Sequence, residues 1–342
     1  MPIHDVGYRR LKNEKTSSLF RWMIICNTGV QLALKSKWVK RIMFTAWLPV
    51  TYWAVGFFFI EKSLSADPIT AMAMSEGIDF SQVSRMALED TLVNRFSVFP
   101  GVNELQEVFE TGDTPEIRNA VWRWMLLTFF RYPQAIIILF LVGFIAPSLI
   151  SQDIRSRAFL LYFSRPISKL EYILGKLCVP SIFIISVTTL PALSLYGAAI
   201  LMSPDISTLP QTWDIPFRII IATFGLVIPT SAVALMLSSL TQESRFANFS
   251  WFAVWGLGHG AWLTIVLATS LQMDQPLFHP DVIQSEVVSN WSAISLYNSL
   301  GSLQAFVFGF ETFAESWRGI VSLFGITVFS MTILYRRVSS PI

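Results

Sequence analysis

QDIRSRAFLLYFSRPISKLEYILGK, residues 152–176, separates two long apolar runs, Ala135–Ile150 before it and Leu177–Met202 after it. Neither run is stable in water, so the charged stretch between them belongs at a membrane surface. Asp153–Phe163 contains helix formers and no breaker. Pro166 disfavours helical geometry at Arg165 and ends that helix. Ser168-Lys-Leu-Glu171 is a capping box, which starts a second helix near Lys169. That helix runs directly into the next apolar run. The stretch predicts helix, sharp turn, helix against one face of a bilayer, offering Arg155, Arg157, Arg165, Lys169 and Lys176.

The rest of the composition agrees with a membrane setting. Only 14% of the 342 residues are charged, 53% are hydrophobic, and the mean hydropathy is +0.53. A soluble domain carries about a quarter charged residues. The net charge of +2 says little about partners; its distribution says more. Cys26 and Cys178 fit neither a disulfide framework nor a metal spacing and read as small apolar residues. The basic N-terminus has no cleavage pattern after an apolar core, so insertion is expected to use the first span.

Six apolar runs approach the roughly 20 residues that cross hydrocarbon. They lie at 42–60, 133–151, 177–202, 219–240, 246–271 and 319–335. The expected fold is an all-α polytopic membrane protein with six transmembrane helices. Within the N-terminal arm, 1–41, Ser17–Lys37 reads as an amphipathic interfacial helix. Arg21, Thr28 and Lys35 share one face, with Leu19, Met23, Cys26, Val30 and Leu34 opposite. Lys and Arg divide 17 to 8 in favour of a cytoplasmic N-terminus. Both termini, the 336–342 tail and the 152–176 loop are then cytoplasmic. Segments 61–132 and 272–318 are extracytoplasmic. The first is expected to hold short amphipathic helices, and Trp291–Gly309 in the second to be re-entrant or interfacial.

The chemistry expected is sparse. No apolar run carries Asp, Glu, Lys or Arg in its interior, which argues against a proton relay. His259, among Gly256, Gly258 and Gly260, is expected to pack closely and bond a neighbour. A phosphate-cradling Gly-x-x-x-x-Gly-Lys-Ser/Thr loop does not occur, and neither does Gly-x-Ser-x-Gly or His-Glu-x-x-His. Glu243 and Arg245, in the turn 241–247, read as helix caps. The basic loop also suits anionic lipid heads.

The string D-x-R…Y-x-x-R-P-I…Y-x-x-G-K-L, carried by Asp153, Arg155, Tyr162, Arg165, Pro166, Ile167, Tyr172, Gly175, Lys176 and Leu177, resembles the cytoplasmic loop of type 2 ABC transporter permeases. These are membrane subunits of ATP-driven exporters, and their ATPase is often a separate chain. The likeness extends weakly to the preceding segment and to Ala232–Ala247; elsewhere it is one of layout. It implies that the N-terminal amphipathic helix is an elbow helix. It also implies that the loop docks a cytosolic ABC ATPase subunit through Asp153, Arg155, Arg157, Tyr162, Arg165, Pro166, Tyr172, Gly175 and Lys176. A homodimer or a pair with a related permease, in a bacterial inner membrane, is the implied assembly. No catalysis, cofactor, metal or nucleic-acid partner is expected of this chain. A membrane scaffold and an ion-coupled carrier stay open as alternatives, and so does the substrate.

Overall fold

The computed structural model describes residues 21–64, 86–95, 99, 101–158, 167–203 and 207–339. Tyr162, Arg165 and Pro166 lie outside these, as does the arm up to residue 20. In chain order the principal helices are α1 (Arg21–Leu34), α2 (Lys37–Thr45), α3 (Leu48–Leu64), α4 (Val102–Thr111), α5 (Thr114–Phe129) and α6 (Ala135–Arg155). They continue as α7 (Lys169–Val187), α8 (Thr189–Met202), α9 (Ile215–Ser239), α10 (Ser244–Met273), α11 (Leu296–Phe308) and α12 (Phe313–Ser339). No strand occurs among the described residues.

Six helical stretches are long and apolar enough to cross a membrane: Lys37–Leu64, Thr114–Arg155, Lys169–Met202, Ile215–Ser239, Ser244–Met273 and Phe313–Val338. Each overlaps one of the six runs read from the sequence. By length and composition this is a multi-pass membrane protein. The first, fifth and sixth stretches are peripheral and turn large apolar side chains outward, among them Tyr52, Phe249, Leu257 and Phe324.

Thr114–Arg155 is the spine. It starts at a capping box of Asp113 and Glu116, with Pro115 in its first turn. A π-helical turn over Phe130–Gln134 contains Pro133 and joins α5 to α6 without a break. The extra residue in that turn absorbs the missing amide and the ring clash of the proline. At 1.5 Å per residue, 42 residues extend about 63 Å, roughly twice the hydrocarbon thickness. The helix that carries the second apolar run thus begins at Thr114, well before the run itself, and α5 and α6 are parts of one helix. Within the expected outer segment, α4 is a separate short helix that buries Val102, Leu105 and Phe109.

Two apolar cores are stacked along the spine. One joins α6, α7 and α9 and includes Leu141, Tyr172, Val179, Leu235 and Trp251. The other encloses α5, whose Trp122, Leu126 and Phe129 meet Phe57 of α3, Tyr196 of α8 and Phe308 of α11. In this second core Glu61 Oε1 accepts from Arg118 Nε at 3.2 Å and from Trp122 Nε1 at 2.8 Å. The long helices thus bury ionisable groups that the apolar runs alone did not contain.

α11 lies antiparallel along α12: Gly319 faces Ser299 and Ser302, and Ser322 Oγ donates to Ala293 O at 3.2 Å. Its 13 residues reach about 20 Å, too short to cross. Three arginines hold it. Arg131 donates to Tyr297 O and to Asn298 Oδ1 near its start. Arg123 and Arg218 donate to Phe308 O and Val307 O at its end, where the helix dipole favours cations.

α1 packs along α7, but not through the whole apolar face expected. Ile25 and Cys26 are buried, with Val30 and Ala33 packed beside them. Met23 and Leu34 face outward. The contact is set by Gly29 and Gly175, because the backbones come closest where a side chain is missing.

Candidate functional site

The loop residues converge on Asp153. This carboxylate sits on the last turn of α6. Its Oδ2 accepts from the Tyr172 hydroxyl at 2.7 Å and pairs with Lys176 Nζ at 2.6 Å. Tyr172 and Lys176 are four apart on the first turns of α7, so they stand one above the other on one face. Lys176 Nζ also donates to Leu149 O at 2.7 Å, and the ammonium lies 5.6 Å from the Tyr172 ring centre. Tyr172 is wholly buried and Lys176 is 7% exposed. A buried ammonium is tolerated only with its charge and donors met, and Asp153 and Leu149 meet them here. α7 begins as the sequence predicts: Glu171 N donates to Ser168 Oγ at 3.2 Å, and Ser168 N to Glu171 Oε2 at 2.6 Å.

Gly175, in the second turn of α7, lies against Trp22 O and Ile25. Its missing side chain is what lets α1 approach. Tyr172, Gly175 and Lys176 therefore face inward, against α6 and α1.

Arg155 and Arg157 are the exposed members. Arg155 Nη1 lies 3.4 Å from Glu243, which also faces Arg245 at 3.9 Å. Glu243 thus links the two turns at this end of the bundle instead of serving only as a cap. A second link lies deeper. Ser238 Oγ, at the end of α9, donates to Pro147 O at 2.7 Å and accepts from the amides of Ile150 and Ser151, each at 3.1 Å. The end of α6 is therefore fixed to both α7 and α9.

Of the helix expected over Asp153–Phe163, only residues 153–158 are described, and these contain a break. α6 ends at Arg155, and Arg157 has a left-handed φ of 53°. Ala158 N donates to Asp153 O and Arg157 N to Ile154 O, which together make a Schellman closure. Glycine usually occupies that position, so the sequence contained no stop signal. Of the nine expected docking residues, the structure brings Asp153, Tyr172 and Lys176 together, sets Gly175 against α1 and leaves Arg155 and Arg157 at the surface. Tyr162, Arg165 and Pro166 fall outside the described residues.

His259 packs as expected. Its Nδ1 is 3.4 Å from Ser295 Oγ, and its ring lies against Trp262 and Tyr297. Gly258 faces Ile294 O, which accounts for that glycine. Among the described residues no group of three or more His, Cys, Asp or Glu is arranged for a metal ion. The arginine contacts on α11 were missed by sequence reasoning; the available signal was Gly301, whose missing side chain makes room for Arg131. No protein family, curated protein or solved structure matches this chain.

Proposed function

We propose that this chain is the membrane-spanning permease subunit of an ATP-driven exporter, with the ATPase supplied by another polypeptide. The observation that supports it is the Asp153–Tyr172–Lys176 clamp, together with the Arg155–Glu243 bridge. A docking loop transmits force only when its ends are rigidly joined to the helices that must move, and here both ends of 152–176 are tied to α6, α7 and α9. On this reading the inward members hold the loop, and Arg155 and Arg157, with Tyr162, Arg165 and Pro166, meet the ATPase. Two copies, or this chain and a relative, flank the pathway. The loop and both termini are cytoplasmic, in a bacterial inner membrane.

The test is co-purification of the tagged full-length chain from its native membranes, with ATP hydrolysis measured on the complex. An Arg165→Glu, Pro166→Ala double variant is expected to insert normally and to lose the co-purified ATPase activity. Equal ATPase recovery with the double variant would overturn the docking reading. Labelling of single cysteines placed in 61–131, with and without ATP, separates a transporter from a scaffold: a scaffold gives the same labelling in both.

A further inference from the structure

The chain has two cysteines, 152 positions apart in sequence, and the fold brings them face to face. Cys26 is on α1 and Cys178 on α7, and both belong to the apolar core where these two helices pack against each other, near enough for each thiol to act on the other. The surrounding packing fixes their approach. On one side Gly175 lies against Trp22 O and Ile25; on the other Gly29 lies against Val179. The pair sits between two places where the helices touch through a glycine. Such an approach suits a disulfide, which needs Cα atoms about 4.4–6.8 Å apart. A zinc site needs four ligands, and no group of three candidate ligands is present among the described residues.

We propose that Cys26 and Cys178 form a peroxide-responsive modification site that closes to a disulfide and locks α1 onto α7. The two thiols have unequal tasks. Cys178 is half-buried, whereas Cys26 is 5% exposed. Burial, and then the neighbouring Cys178 thiol, push the Cys26 thiol up to about 12. The Cys178 sulfur is the one that meets oxidant, since the thiolate is the reactive form and access governs the rate. It attacks hydrogen peroxide; the O–O bond breaks, an S–O bond forms at Cys178, and one water leaves. The Cys26 sulfur then displaces that hydroxyl, handing it the thiol proton as it leaves, so that the S–S bond forms at Cys178 and a second water is released. The two sulfurs give up two electrons and the peroxide takes them. Cys178 lies two residues beyond Lys176 and three beyond Gly175, so the lock fixes α1 against the same helix that carries two members of the Asp153 clamp. It requires no ATPase and stands or falls independently of the docking reading.

The full-length chain in detergent is treated with hydrogen peroxide in the presence of a metal chelator. It is then denatured and tagged with polyethylene-glycol maleimide. The expected result is two tags before treatment, none after, and two again after dithiothreitol, with a Cys26–Cys178 linked peptide in the mass spectrum. Cys26→Ser is expected to leave Cys178 as a sulfenic acid trappable by dimedone. Cys178→Ser is expected to keep its single tag through the same treatment. Two tags surviving peroxide, a disulfide between chains, or direct overoxidation of Cys178 in the unaltered protein would each overturn the proposal.

Discussion

Asp153 is where one side chain decides the most. It is 15% exposed and carries the counter-charge of Lys176, itself 9% exposed at the side chain. Breaking a buried pair by removing one partner costs about 3–5 kcal/mol, because the remaining charge keeps its desolvation penalty. Asp153→Asn is therefore expected to lower the apparent thermal midpoint sharply, followed by tryptophan fluorescence in detergent. Tyr172→Phe removes one hydrogen bond and is expected to cost only about 0.5–1.5 kcal/mol. The double variant Asp153→Asn, Lys176→Met is expected to recover most of the loss; no recovery would mean that Asp153 acts through something other than its charge. Arg157 makes the opposite case. A left-handed non-glycine residue is strained by about 1–2 kcal/mol. Arg157→Gly is expected to raise the midpoint, consistent with relief of about 1 kcal/mol. The motif was legible in the sequence, and so was the shared face of Tyr172 and Lys176. Their common partner was not, because it stands on another helix, and no local pattern records a contact made by tertiary packing.

α11 shows how far a helix can be read and where the reading ends. Its amphipathic pattern was visible in Trp291–Gly309, but its start at Leu296 was not. What holds it was invisible, because Arg131 and Tyr297 are 166 positions apart. A side chain at Gly301 would collide with the Arg131 guanidinium, which lies 3.9 Å over the Tyr297 ring. Gly301→Val is thus expected to displace Arg131 and destabilise the protein more than Gly325→Val, since Gly325 faces open space. Comparing the two midpoints in detergent checks this. Gly309 ends the helix at φ 81°, with Phe310 N donating to Ala305 O at 2.8 Å. Just beyond it, burial raises the Glu311 carboxyl from 4.5 to about 7, although Ser316 Oγ donates to it at 2.6 Å. The fold thus prefers the protonated acid. Its contribution is complete below about pH 4.5 and is lost as pH rises through about 7. The midpoint of the unaltered protein, relative to Glu311→Gln, is expected to fall between pH 5 and pH 8. Parallel pH curves for the two proteins would rule Glu311 out as the source.

The six apolar runs were legible because each comes close to the length that crosses hydrocarbon, and hydropathy registers that directly. The upper core was not, because Phe57, Trp122, Tyr196 and Phe308 come from four distant parts of the chain. The helices continue past their apolar runs to build it. This arrangement fixes which loops share an end. Arg155 meeting Glu243 places 156–158 beside 241–243, while α10 carries 286–291 to the opposite end. On the proposed reading the first end is the cytoplasmic one, the side that the excess of Lys and Arg favours. Ser156→Cys, Gln242→Cys and Ser289→Cys, all at exposed positions, test both statements in a Cys26→Ser, Cys178→Ser background. A membrane-impermeant maleimide added to intact cells is expected to label Ser289→Cys alone, and the other two only after permeabilisation. Labelling of Ser156→Cys and Gln242→Cys from outside, with Ser289→Cys protected, would invert the protein and remove its loop from any cytosolic ATPase. Labelling of Ser156→Cys and Ser289→Cys from the same side would break the six-crossing arrangement itself. A helix the length of α10 joins those two ends and, in a bilayer, must separate them.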